Sequence, residues 1–234
     1  MYRIIGIFED SEGKQHLKLI KKEALNTSYV WNADRYTNIS WGNSDLYKGI
    51  NGEYFLTNTT YSYMQESNWT DKIEIWEYTA TNTKPNGSSG LDYNGGGLIV
   101  RNVYLHELNR NSKTSTIGEW EPVPAKISLI YVSDYLLSLG NIALGYLSYD
   151  DYSRLKMGWL HISNNDSGAP SSYEWTSTRS GATSGYYYAW HVSSLGKVNS
   201  VTVDTTNSVR PVFYLTSDVI ITGEGTNTSP YIIS

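Results

Sequence analysis

The side chains that could carry chemistry in this chain are four histidines, a few acidic pairs and several aromatic runs, with no cysteine among them. His16, His106, His161 and His191 lie far apart, and none forms the i, i+4 pair or the His-Glu spacing of a zinc site. Solvated or singly hydrogen-bonded imidazoles account for them. Without thiols there is no disulfide, no thiolate metal site and no cysteine nucleophile. No Gly-x-Ser-x-Gly elbow presents a serine, and Asp150-Asp151 reads as the acidic start of a helix rather than a glycosidase pair. Gly95-Gly96-Gly97 lacks the Lys-Ser/Thr that would make it a phosphate cradle, so it reads as a flexible loop. Catalysis therefore ranks last, as a hydrolase with an unrecognised site.

The aromatic runs point instead to binding. In Tyr186-Tyr187-Tyr188-Ala189-Trp190, strand alternation puts Tyr186, Tyr188 and Trp190 on one face and Tyr187 on the other. Most of these rings belong to the core, because each buries a large apolar area. The ligand set that remains is Tyr187, Trp175, Trp190 and Arg179, beside the loops 163–172 and 179–185. Asn164, Asn165 and Asp166 offer oxygens that suit calcium, and the same three residues also make an ordinary polar turn. No cofactor is expected. Arg210, between Val209 and Pro211, falls inside an apolar run and needs a carboxylate or carbonyl partner, which makes it a structural tether. Asp134 and Trp159 are likewise assigned to structure.

The elements that must position these residues are mostly short strands. Residues 2–8 and 17–22 flank a turn containing Asp10, Ser11, Glu12 and Gly13, which predicts a hairpin. Ser44 or Asn43 caps a short helix over 45–50, and a second helix is predicted over 61–66. Ile73 to Tyr78 alternates as a strand with Ile73, Ile75 and Glu77 on one face. From Thr79 to Gly97 the composition turns to Thr, Asn, Gly, Ser and Pro, which predicts a long loop or a subdomain boundary. Leu98 to Leu108 leans to strand through its β-branched residues. Ile127 to Val132 reads as a strand leading into a helix capped by Ser133 and stopping near Gly140. A short helix follows over 149–157, and beyond Leu160 only strands and turns are expected, with Gly223-Glu224-Gly225-Thr226 as a hairpin turn.

Composition bounds the rest. With 234 residues the chain can bury a full core in one domain or two small ones. Only 18% of residues are charged and 14% are aromatic, a balance that suits an exported binding surface. A net charge of −5 and the lack of any longer basic cluster than Lys21-Lys22 argue against nucleic acid as a partner. No apolar run is long enough for a membrane helix, and an export leader or anchor is expected upstream of Met1.

Taken in order, Tyr2-Arg3-Ile4-Ile5-Gly6, Lys18-Leu19-Ile20-Lys21-Lys22, Trp41 with Ser44-Asp45-Leu46, Trp76, Ile130 to Tyr135, Trp159-Leu160, Glu174-Trp175-Thr176, Val209-Arg210-Pro211-Val212 and the Gly223 to Tyr231 tail carry a likeness. The chain resembles an uncharacterised domain family common on the surfaces of Gram-positive bacteria. In its C-terminal half that family resembles the C-type-lectin-like fold, shared with formylglycine-generating enzymes and with the variable proteins of diversity-generating retroelements. The resemblance implies an α+β fold of mixed antiparallel sheets with a few short helices and long loops. It also implies an extracellular or cell-surface location behind a lipoprotein signal, a wall anchor or a prepilin leader. Relatives commonly carry central cysteines and this chain has none, so any disulfide of the family is absent, and formylglycine chemistry, which depends on reactive cysteines, is removed as well. Lectin calcium loops use Glu-Pro-Asn and Trp-Asn-Asp; here Glu121-Pro122-Val123 and Trp31-Asn32-Ala33 each lack a ligand.

The expectation is one domain over 1–234, with an N-terminal part over 1–78, a polar insert over 79–118 and a β-rich core over 127–234. Its expected role is non-enzymatic binding or adhesion to a surface glycan or a host or bacterial protein. The alternative is a structural subunit of a pilin-like fibre or envelope assembly.

Overall fold

A computed structural model describes residues 2–36, 40–52, 69–83, 97–99, 104, 107, 120–139, 146–148, 158–162, 173–180, 188–226 and 228–233. Strands β1 (Tyr2–Glu9) and β2 (Gln15–Lys21) form the expected antiparallel hairpin, with a bulge between Ile4 and Gly6. Asp10 builds its turn by accepting the amides of Glu12 and Lys14 at 2.8 and 2.9 Å, and Gly13 closes it at φ +80°. After β3 (Tyr29–Val30) and a 3-10 turn at Trp41–Asn43 comes α1 (Asp45–Asn51), where Ser44 caps by accepting the Tyr47 amide at 3.1 Å.

The remaining elements are, in chain order, a 3-10 turn (Trp69–Lys72), β4 (Trp76–Thr83), β5 (Gly97–Ile99), β6 (Trp120–Ala125), α2 (Val132–Leu137), β7 (Tyr146–Ser148), β8 (Glu174–Ser180), β9 (Tyr188–Val192), β10 (Val198–Thr202), β11 (Thr206–Asn207), β12 (Val212–Tyr214), β13 (Ile221–Thr222) and β14 (Ile232–Ile233). Among the described residues the fold is mostly antiparallel sheet with few, short helices. A three-stranded sheet runs β1-β2-β12, and a five-stranded sheet runs β10-β9-β8-β4-β6, in which only β4 and β8 are parallel. Because β12 returns to β2, residues far apart in the chain share one face with the N-terminal hairpin.

Four expectations are corrected. Ile73 is 3% exposed and Ile75 62%, so they do not share a face; the 3-10 turn ends at Lys72, Ile73 bridges Leu215, and regular pairing starts only at Trp76. Thr79 to Thr83 is not loop but the continuation of β4, paired to β6 and then to β8. Ile127 to Ile130 is an extended core segment with a single bridge, Ser128 to Val212, and the strand before it is β6. Pro122 and Pro124 are tolerated in β6 because it lies at the edge of its sheet, where missing N–H groups cost no ladder bond. Helix α2 starts at Val132, so Ser133 lies in its first turn and does not cap it. The predicted helices over 61–66 and 149–157 lie outside the described residues.

The main core gathers Trp31, Trp41, Trp175, Phe213 and their aliphatic neighbours between the two sheets and α1. Trp31 donates its indole N–H to the Thr176 carbonyl at 3.2 Å, and Trp175 donates to Tyr29 at 2.8 Å, so both polar edges are satisfied inside. A second cluster surrounds α2, with Ile130, Tyr135, Leu136, Trp190 and Val212. A third is mainly aromatic: Tyr78, Ala125, Tyr131 and Tyr214, with Phe8 and Trp76 packed against it.

Candidate functional site

Tyr131 and Tyr214 of the third cluster, with Phe8 and Trp76 packed against it, line a surface cleft of about 620 Å³. Five separate segments supply its walls: the end of β1 and its turn with Phe8, Glu9, Asp10 and Glu12; Glu74, Trp76 and Glu77 at the start of β4; Tyr104; Tyr131; and Tyr214. Trp76 stacks on Tyr214 with centroids 3.9 Å apart and planes at 12°, and His16 meets the Trp76 ring edgewise at 5.3 Å. Phe8 packs edge-on against Tyr214 at 5.6 Å. Tyr131 and Tyr214 are themselves buried, so the rings partly open to the cleft are Phe8 and Trp76, held in place by these contacts, with Tyr104 exposed at its wall.

Five carboxylates edge the cleft, Glu9, Asp10, Glu12, Glu74 and Glu77, and no lysine, arginine or histidine stands among its described lining residues. Asp10 is anchored: its Oδ2 faces His16 Nε2 at 3.1 Å, and the Lys14 amide foremost holds its carboxyl below the ordinary value. Glu12 pairs with Lys14 at 2.7 Å, and Lys14 also lies within electrostatic reach of Asp10 and Glu74. His16 is itself fixed, since its Nδ1 meets the Leu215 carbonyl at 2.8 Å. An aromatic floor under an acidic rim favours ligands with a stackable face and hydroxyl or amine donors.

The residues that the sequence pointed to lie elsewhere. Trp175, Trp190 and Arg179 are 0, 5 and 6% exposed, so they pack the interior and offer no stacking surface. That corrects the expectation of a ligand surface on them, and the cause is packing on the sheet faces: Trp175 joins the main core and Trp190 the cluster around α2. Tyr187, Asn164, Asn165 and Asp166 lie outside the described residues. Trp159 exposes 42% of its surface, and its backbone carbonyl accepts from Arg3. Arg210 is enclosed with Glu174, and Asp134 with Lys18.

Two buried titratable groups stand apart from the cleft. Glu107 accepts the Val132 and Ser133 amides at 3.0 and 2.7 Å and the Thr178 hydroxyl, and burial pushes its carboxyl up to about 7. His191 lies against Tyr173 and Trp175 with Nδ1 3.2 Å from Asn207 Nδ2, and burial lowers it to about 4. Neither gathers further ligands: among the described residues no group of three His, Asp or Glu side chains could hold a metal ion. No described helix is long and apolar enough to cross a membrane.

The cleft is not legible locally because Trp76 and Tyr214, which stack beside it, lie far apart in the chain. The detectable sign was Glu74, Trp76 and Glu77 together, an aromatic residue between acids at a strand start. No family model, curated protein or solved structure matches the chain.

Proposed function

We propose that this chain is an extracellular, non-enzymatic binding domain of the C-type-lectin-like kind, and that it takes its ligand in the acid-rimmed aromatic cleft. The observation that carries this reading is the half-buried Trp76 ring, backed by the buried Tyr214 at 3.9 Å, in a concave surface edged by five carboxylates. The ligand that fits is a neutral or amino-bearing glycan, or a basic stretch of a surface protein. A sugar face stacks on the indole while hydroxyls or amines donate to Glu74 and Glu77; an acidic sugar is repelled. The mixed, mainly antiparallel sheets and short helices agree with the fold part of the reading.

The test is an array of glycans and proteins probed with the wild-type chain and with Trp76→Ala. Binding that is lost in Trp76→Ala, by about tenfold or more, and weakened in the Glu74→Gln/Glu77→Gln pair supports it. An intact fold with no binding across a broad array rejects it.

A second reading, a subunit of a fibre or envelope assembly, is favoured by the C-terminal hairpin, where Ile220, Ile221, Tyr231 and Ile232 are exposed together. Light scattering of the chain against Ile221→Ser/Ile232→Ser distinguishes it: a monomer in both cases removes that reading.

A further inference from the structure

Lys18 is the least accommodating residue in the core. It sits at the centre of β2 between Leu17 and Leu19, and its side chain is fully buried. Its Nζ lies 2.6 Å from Asp134 Oδ2, and Asp134 is almost as enclosed. Around the ammonium stand three rings, Tyr131 at 4.8 Å, Phe8 at 5.2 Å and Tyr214 at 5.5 Å. Gly6, paired with Lys18 across the hairpin, makes room for this: a Cβ there would meet Phe8 Cε2 at 3.2 Å, so the missing side chain lets the ring fold over the amine.

We propose that Lys18 and Asp134 react with each other and are joined by an intramolecular amide bond. An ion pair sealed in an aromatic enclosure is costly as charges, whereas its neutral form, amine and carboxylic acid, is not. Transfer of one proton along the 2.6 Å contact makes that neutral form. The free electron pair of Nζ then adds to Asp134 Cγ, and the carbonyl π pair moves onto Oδ1. The Tyr131 amide, 2.9 Å from Oδ2, donates to the oxygen that leaves and holds the carboxyl in place for the attack. Collapse expels Oδ2 as water, carrying the proton first transferred and one more from nitrogen. The N–C bond forms, one C–O bond breaks, and the ammonium–carboxylate pair becomes amide plus water with no oxidant, reductant or net proton required. Proximity in a fixed geometry replaces an activating group. The bond would tie β2 to α2 across 116 residues, restraining the unfolded chain as a disulfide does in a chain that has no cysteine.

Intact-mass measurement of the denatured full chain decides the matter, followed by tryptic mapping. The expected wild-type mass is the sequence mass less one water, with a branched peptide joining the Lys18 and Asp134 segments and no cleavage after Lys18. Lys18→Arg keeps a cation in the cage but yields no stable amide under these conditions, and Asp134→Ala removes the acceptor; both are expected at their full sequence masses, and masses are read whether or not the variants fold. A wild-type chain at full sequence mass after prolonged incubation at neutral pH overturns the proposal. So does a water deficit that persists in Lys18→Arg.

Discussion

Arg210 and Glu174 form a bidentate pair inside the protein: Nε donates to Oε1 at 2.7 Å and Nη2 to Oε2 at 2.8 Å, with side chains 1 and 4% exposed. Nη2 also donates to the Leu160 carbonyl, so one guanidinium ties β8, the segment entering β12 and the 158–162 turn together. Burial pushes the Glu174 carboxyl up against the opposing pull of Arg210. Removing the arginine alone leaves that carboxylate without its cation. Arg210→Met is therefore expected to destabilise the fold by about 3–5 kcal/mol, measured by urea unfolding. Arg210→Met/Glu174→Leu should recover part of the loss, because no uncompensated charge remains. Unfolding unchanged in the single variant contradicts the pair's role.

That arginine also shows what a sequence can and cannot disclose. Its position between Val209 and Pro211 announces a buried cation in need of a partner, but nothing local names Glu174, which comes 36 residues earlier. Lys18 carries the same signal between Leu17 and Leu19 and is easily passed over as the polar member of an alternating strand. It is buried because β2 is the middle strand of its sheet, with β12 arriving from the far end of the chain. Elements with complete local signals, the Asp10–Gly13 hairpin and the Ser44-capped α1, form where the sequence predicts. Those that fail depend on distant neighbours. The prolines of β6 hide a strand that only an edge position permits, and the apolar run from Ile127 looks like a strand although its burial comes from packing between layers. The first turn of α2 is held by Glu107 and Asp134 rather than by Ser133 as a cap. The cleft is a product of the same long-range assembly, and no stretch of the chain carries it whole.

Asn51 gives a second prediction of stability. Its amide does the work of a strand neighbour for Ile127, accepting the Ile127 N–H on Oδ1 at 3.0 Å and donating from Nδ2 to the Ile127 carbonyl at 2.8 Å. The last turn of α1 is thereby fastened to the core segment that leads into α2. Asn51→Ala leaves both backbone groups without this partner and is expected to cost about 1–3 kcal/mol. Asn51→Asp keeps the acceptor but loses the donor, and should fall between the two in thermal unfolding. Equal stability of Asn51→Ala and wild type would remove the fastening role.

Glu107 makes the stability of the fold depend on pH in a direction unusual for a carboxylate. Facing it are the Val132 and Ser133 amides and the Thr178 hydroxyl, and burial is the foremost cause that raises it. The folded state holds the Glu107 proton up to about pH 7, while the unfolded chain releases it near the ordinary value of 4.5. Between those values the folded state binds more protons, so this group's contribution is fully present below 4.5 and is lost as pH rises through 7. The change is on the order of 3 kcal/mol across the window. His191 acts in the opposite sense: burial lowers it to about 4 from 6.5, so its contribution grows as pH rises through that lower range. Comparing wild type with Glu107→Gln cancels His191 and every other common group. Unfolding free energies measured from pH 4 to pH 8 should show Glu107→Gln gaining on wild type steadily between pH 4.5 and 7 and holding level above it. A difference that stays constant across that range would mean that the Glu107 carboxyl titrates at the same pH in the folded and unfolded chain.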